Sequence, residues 1–107
     1  MGTFMTNLGY VHDMSLDAVR ADISRVDTEI IRLIAERQHL AEKVARIKIA
    51  KGMPVHDQHR TEQVLESVFE QAVELRIDPV AVQKIFENLI TMSEDRQREC
   101  SGDGNLP

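Results

Sequence analysis

Tryptophan is missing from this sequence, cysteine occurs once, and aromatic residues make up only 4% of its 107 residues. A lone cysteine, Cys100, cannot form an intrachain disulfide and suits a reducing compartment. Residues 1–14 show neither the basic start nor the apolar stretch of a secretion signal, so a cytoplasmic location is expected. No apolar run approaches the roughly 18 residues of a membrane span, so a membrane partner is not expected. There is no basic block either: the net charge is -5, which argues against nucleic acid as a partner. No glycine-rich phosphate loop and no Ser-His-Asp set is present, and Cys100 sits near a chain end, so neither a cofactor nor a covalent nucleophile is expected. His56 and His59 stand three apart with no third ligand specified by spacing, so no metal site is expected.

What the chain does have is helix former. Hydrophobic residues are 42% and charged residues 29%, rich in Ala, Leu, Ile, Val, Glu, Lys and Arg, which favours helix over sheet. The stretch from Ser15 to Lys51 contains no Gly or Pro. Apolar residues recur in it at Val19, Ile23, Val26, Ile30, Leu33, Leu40, Val44 and Ile47, the steps of one helical face. Ser15 is the expected N-cap, Asp17 suits the first turn, and Gly52 follows as the stop. Such a helix would be roughly 54 Å long at 1.5 Å per residue. A compact domain of this size has a radius of gyration of only about 13 Å. The rest of one chain cannot cover that seam, so a homodimer of long helices is expected, with a break near the middle and a monomeric bundle as the other possibility.

Gly52-Met53-Pro54-Val55-His56 reads as a loop. Asp57 begins a second helix running to about Arg76, with Val64, Leu65, Val68, Ala72 and Leu75 on its apolar face. Asp78-Pro79 begins a third, ending near Glu99. The expected architecture is all-α: a flexible tail over residues 1–14, a helical domain over 15–99, and a flexible tail over 100–107.

Arg37 occupies the one seat in the seam that is not apolar, and an unpaired cation there is costly. Lys48, eleven residues on, falls on nearly the same face, about 16 Å away, with Ala41 and Val44 between. That pattern fits a pocket floor with a positive group at each end. It fits equally an Arg37 paired with a carboxylate from another helix and a solvated Lys48. Arg20 lies roughly 25 Å before Arg37 and cannot share its pocket within one chain. It is either exposed or contributed to a partner's pocket. Asp57, Arg60 and Thr61 fall at i, i+3 and i+4, although Asp57 also serves as a plain N-cap and Arg60 as a surface residue. Ser93 and Gln97 prolong the stripe of Phe86 and Ile90, either as site residues or as a helix end meeting water.

These elements resemble the all-α, AroQ-type chorismate mutases. The resemblance rests on L-x-x-V-R-x-x-I with Arg20, L-I-A-E-R with Arg37, V-A-R-I-K with Lys48, P-V-H-D-x-x-R with Asp57 and Arg60, and S-x-x-x-Q with Ser93 and Gln97. It covers residues 16 to 98 in matching order and spacing. It implies an intertwined homodimer with shared active sites and chorismate as the small-molecule substrate. Arg37, with Arg20 of the partner subunit, would bind the substrate carboxylates. Lys48 and Gln97 would donate to the ether oxygen as the catalytic pair. Ser93 would meet the ring carboxylate and Asp57 the ring hydroxyl region, supported by Arg60. Where the family usually has Glu after that Arg, this chain has Thr61, whose hydroxyl can hydrogen-bond a substrate but carries no charge.

The implied reaction is the rearrangement of chorismate to prephenate in phenylalanine and tyrosine biosynthesis. This intramolecular [3,3] shift needs no nucleophile or cofactor, only a held conformer and donors at the ether oxygen. Alternatives are an isochorismate-pyruvate lyase, a 4-amino-4-deoxychorismate mutase and, in another class, a non-catalytic helical dimer serving as a regulatory module.

Overall fold

The computed structural model describes residues 15–101, and every regular element among them is a helix. The expected tail over residues 1–14, and the 102–107 part of the expected C-terminal tail, lie outside the described residues. We number the helices α1 (Leu16–Lys51), α2 (Gln58–Glu74) and α3 (Pro79–Cys100).

The ends of α1 follow from its terminal residues. Ser15 Oγ accepts from Ala18 N at 3.0 Å, satisfying one of the backbone N–H groups that a helix start leaves without a partner. Asp17 lies in the first turn and Lys48 and Lys51 in the last, each sign at the end that suits the macrodipole. Gly52 stops the helix in the left-handed conformation at φ 65°. Gly52 N donates to Ile49 O, and Met53 N to Lys48 O at 2.8 Å, the paired bonds of a Schellman cap.

The second helix closes in the same way with a less suitable residue. Arg76 takes φ 60°, Arg76 N donates to Val73 O, and Ile77 N to Ala72 O. A side chain bearing Cβ in that region costs on the order of 1 kcal/mol. This cap ends α2 at Glu74, two residues before the Arg76 end read from the sequence. At its start Asp57 accepts from Arg60 N, and at the start of α3 Asp78 accepts from Val80 N and Ala81 N, with Pro79 in the first turn. The third helix continues through Cys100, past the expected Glu99, because Ser101 N still reaches Gln97 O at 2.9 Å.

The chain divides into two compact units, Met1–Leu33 and Ile34–Pro107. In the described part of the first, residues 15–33, no residue is buried, and Val19 alone is partly covered. Within the second, α2 and α3 pack as a pair. The buried apolar residues are Ala41 and Ala45 of α1 and Val68 and Ala72 of α2, small side chains that let helices approach closely. Among the described residues one polar residue is buried as well, Gln97 of α3, only 5% exposed. Among the described residues no helix is long and apolar enough to cross a membrane.

Candidate active site

A buried glutamine needs partners, and those of Gln97 define a site. Lys48 Nζ donates to Gln97 Oε1 at 2.8 Å. Because an ammonium can only donate, this bond fixes which end of the amide is oxygen. Gln97 Nε2 then donates to Ser93 Oγ at 3.2 Å, one turn earlier on α3. Lys48 Nζ also donates to the carbonyl of Val55 in the α1–α2 loop. Lys48 is thus no solvated helix end: it ties α1 to both the loop and α3. Two of its three N–H hydrogens have partners, and one of the two on the Gln97 amide does.

Arg37 is held on the same face of α1. Its Nη1 donates to Leu89 O of α3 at 3.0 Å, a backbone carbonyl rather than the carboxylate partner entertained from the sequence. A carbonyl accepts the hydrogen bond but neutralises no charge. Burial, and after it the neighbouring Arg60 guanidinium, lower the Arg37 pKa from its ordinary value. The two guanidiniums repel, and among the described residues no ion pair joins either to a carboxylate, so an anion beside them would be favoured.

Arg37, Lys48 and Arg60 line a single cavity of about 440 Å³, together with Asp57, Thr61, Ser93 and Gln97. Leu40, Ala41, Val44, Val64 and Ile90 supply its apolar wall. Of the eight residues singled out in the sequence, seven meet there. The eighth, Arg20, is exposed and does not line it. The carboxylates on the cavity are engaged elsewhere. Asp57 Oδ1 accepts from Arg60 N at 3.1 Å, and Glu94 Oε2 lies 2.7 Å from His56 Nδ1. Glu94 is a lining residue that sequence reasoning missed, and so is Val55, through its carbonyl. Glu94 stands four residues after Ile90 and three before Gln97, so the helical face that picked out Ser93 and Gln97 could have found it, but its partner His56 is 38 residues away. No local pattern could have joined them.

Among the described residues no group of three His, Cys, Asp or Glu side chains is placed to hold a metal ion. What the cavity offers is positive charge, unpartnered N–H groups and an apolar wall, suited to a small anion with a hydrocarbon body.

Residues 19–98 match the model of a family described as chorismate mutase type II. The chain belongs to that family. The match takes in α1 from Val19, all of α2 and nearly all of α3, and with them every lining residue of the cavity. Among curated relatives, the chain is 33% identical over 84 residues to a chorismate mutase of Methanocaldococcus jannaschii, covering 78% of this chain and 85% of that protein. It is 35% identical over 75 residues to a secreted chorismate mutase of Mycobacterium tuberculosis, covering 70% of this chain and 38% of that one. It is 30% identical over 73 residues to a bifunctional chorismate mutase/prephenate dehydratase of Escherichia coli, 68% of this chain but only 19% of the longer enzyme.

Proposed function

We propose that this type II family member is a chorismate mutase, converting chorismate to prephenate in a cavity built around Arg37, Lys48 and Gln97. The observation that carries the reading is the set of cations without carboxylate partners on a partly apolar cavity. Family membership and the relatives' names support it. In this reading the dianionic substrate takes the place that counter-ions leave open. Arg37 binds a carboxylate, and its repulsion with Arg60 is relieved when the anion arrives. Asp57, Thr61 and Ser93 meet the polar groups of the ring, with Arg60 supporting Asp57 through the N-cap bond.

The chemistry asked of the protein is modest. Bond breaking and bond making occur within one molecule, so no group of the chain has to exchange a proton or form a bond. Holding the reacting ends together supplies part of the acceleration. The rest comes from donors already aimed at the ether oxygen, where negative charge builds in the transition state. Lys48 and Gln97 are assigned that role because each has an N–H free after its structural bonds are counted. Their mutual hydrogen bond fixes both directions in advance.

The working unit in this reading is an intertwined homodimer, with Arg20 of the partner subunit completing the carboxylate site. Its support is the α1 seam: Ile23, Ile30 and Ile47 are 54, 50 and 54% exposed in the single chain, as an apolar stripe awaiting a second copy would be. A cytoplasmic location is proposed on the single cysteine, Cys100, which is free and exposed.

The test is to offer chorismate and isochorismate separately, following loss of chorismate absorbance and formation of prephenate or salicylate, beside sedimentation for the dimer. Prephenate from chorismate by a two-chain species is the expected result. Salicylate from isochorismate alone, or no turnover of either, would overturn the assignment.

A further inference from the structure

The residues that position Lys48 extend beyond the cavity lining. Its carbonyl partner, Val55, sits in the loop between α1 and α2, which has no helical bonds of its own to fix it. The next residue, His56, is roughly half exposed and makes two contacts. Its Nδ1 lies 2.7 Å from Glu94 Oε2 of α3, and its Nε2 lies 3.2 Å from Gln58 Oε1 of α2. The Gln58 amide is oriented independently, because its Nε2 donates to Glu62 Oε2 at 3.0 Å. Its oxygen is therefore the atom turned to the ring. An ionised carboxylate also only accepts. Both ring nitrogens thus face acceptors, and an imidazole serves two acceptors only when both nitrogens carry hydrogen. The geometry fits the imidazolium.

The charges around this cation come from every neighbouring element. On α3, Arg98 Nη2 lies 4.0 Å from the other Glu94 oxygen, and Arg98 Nη1 bonds Asp95 at 3.3 Å. On α2 stand Gln58 and Glu62, and Asp57, next in the chain, caps that helix. On α1, Lys48 reaches the Val55 carbonyl one residue away. The bond to Glu94, then that to Gln58, raise the His56 pKa, while burial and Arg98 act weakly against them.

We propose that His56 and Glu94 are positioning residues: the charged pair fastens the α1–α2 loop to α3, holds the Val55 carbonyl against Lys48, and so aims the remaining ammonium hydrogen into the cavity. This role rests on the reading of Lys48 as the donor to the breaking bond. The pair is complete while His56 is protonated and loosens as pH rises through its raised pKa. Its loss misaligns a donor that acts in the transition state, so the effect falls on kcat more than on KM.

The experiment measures kcat and KM for chorismate from about pH 5.5 to 9, the range in which histidine titrates, on the wild type, His56→Gln, Glu94→Gln and the double variant. His56 is followed in parallel by imidazole NMR. The wild type should lose kcat through the His56 titration with KM nearly constant. His56→Gln, which can still donate one neutral hydrogen bond to Glu94, should sit roughly five- to tenfold below the wild type at the acid end and show no such limb. Glu94→Gln should lower the His56 pKa, and the double variant should be no slower than the slower single one. An unchanged limb in His56→Gln, additive losses in the double variant, or an unmoved His56 pKa in Glu94→Gln would overturn the positioning role alone. A wild type that leaves chorismate untouched would remove the functional reading beneath it as well.

Discussion

Two charged regions join α1 to α3, and they use their arginines in opposite ways. At the first, Arg96 of α3 is surrounded by carboxylates. Its Nε and Nη2 donate to Glu42 Oε2 of α1 at 3.0 and 2.7 Å, and its Nη1 to Glu99 Oε2 at 2.9 Å. At the second, among the described residues, Arg37 of α1 meets the Leu89 carbonyl, and Lys48 meets a carbonyl and an amide. The first region is electrically complete without a ligand. The second is hydrogen-bonded but not neutralised, although Asp57 and Glu94 stand on the same cavity wall. A neutral acceptor can fix the direction of a cation while leaving its charge available. On the proposed reading, this difference separates a structural ion pair from a place prepared for an anion.

The largest test of the contrast removes the open cations. Lys48→Ala should lower kcat about 100-fold or more, since deleting a preorganised donor at a developing oxyanion raises the barrier by about 3 kcal/mol. Arg37→Ala should lower kcat/KM by a similar factor, largely through binding. Both variants should sediment as the wild type does. Near-normal prephenate formation by either would erase the distinction, because its cation would then be as structural as Arg96.

Thr61→Glu asks what happens when a carboxylate is placed among the open charges. The expected outcome is a KM a few-fold lower, as the new acidic group strengthens a hydrogen bond from the substrate ring. An unchanged or raised KM would mean that the introduced carboxylate had turned to Arg60 or Arg37 instead. The cavity would then have been converted toward the Arg96 arrangement, with its charge satisfied from within.

Much of this is legible in the sequence. The eleven-residue interval from Arg37 to Lys48 placed both on one face, and the Asp57 and Asp78 caps located two helix starts within a residue. What stayed hidden has a common physical cause. The partners of Arg37 and Lys48 include the Leu89 and Val55 carbonyls, and every residue has a carbonyl, so sequence carries no mark of which one is used. The Glu42–Arg96 and His56–Glu94 pairs bridge 54 and 38 residues, beyond any helical period. Arg76 hid the end of α2 because a left-handed stop is ordinarily announced by glycine, as it is at Gly52.

The smallest expected effects belong to the completed region. Arg96→Ala should leave the turnover of chorismate within about twofold of wild type, as Arg96 does not line the cavity, and should lower the thermal midpoint slightly. Acid should reveal the same pair. The Glu42 pKa is lowered first by the hydrogen bond from Arg96, with the charges of Arg96, His39 and Arg46 adding to it. A carboxyl whose folded pKa is depressed contributes stability above its unfolded value, near 4.3, and that contribution is lost as pH falls through the folded value. The wild type should therefore lose thermal stability on acidification below about pH 4.5 more steeply than Arg96→Ala, in which Glu42 titrates nearer its ordinary value. Parallel acid profiles would show that the Glu42–Arg96 contact contributes nothing in solution. The contrast would then rest on the open cations alone, and Arg37 and Lys48 would have to be judged by turnover rather than by comparison with a neutralised neighbour.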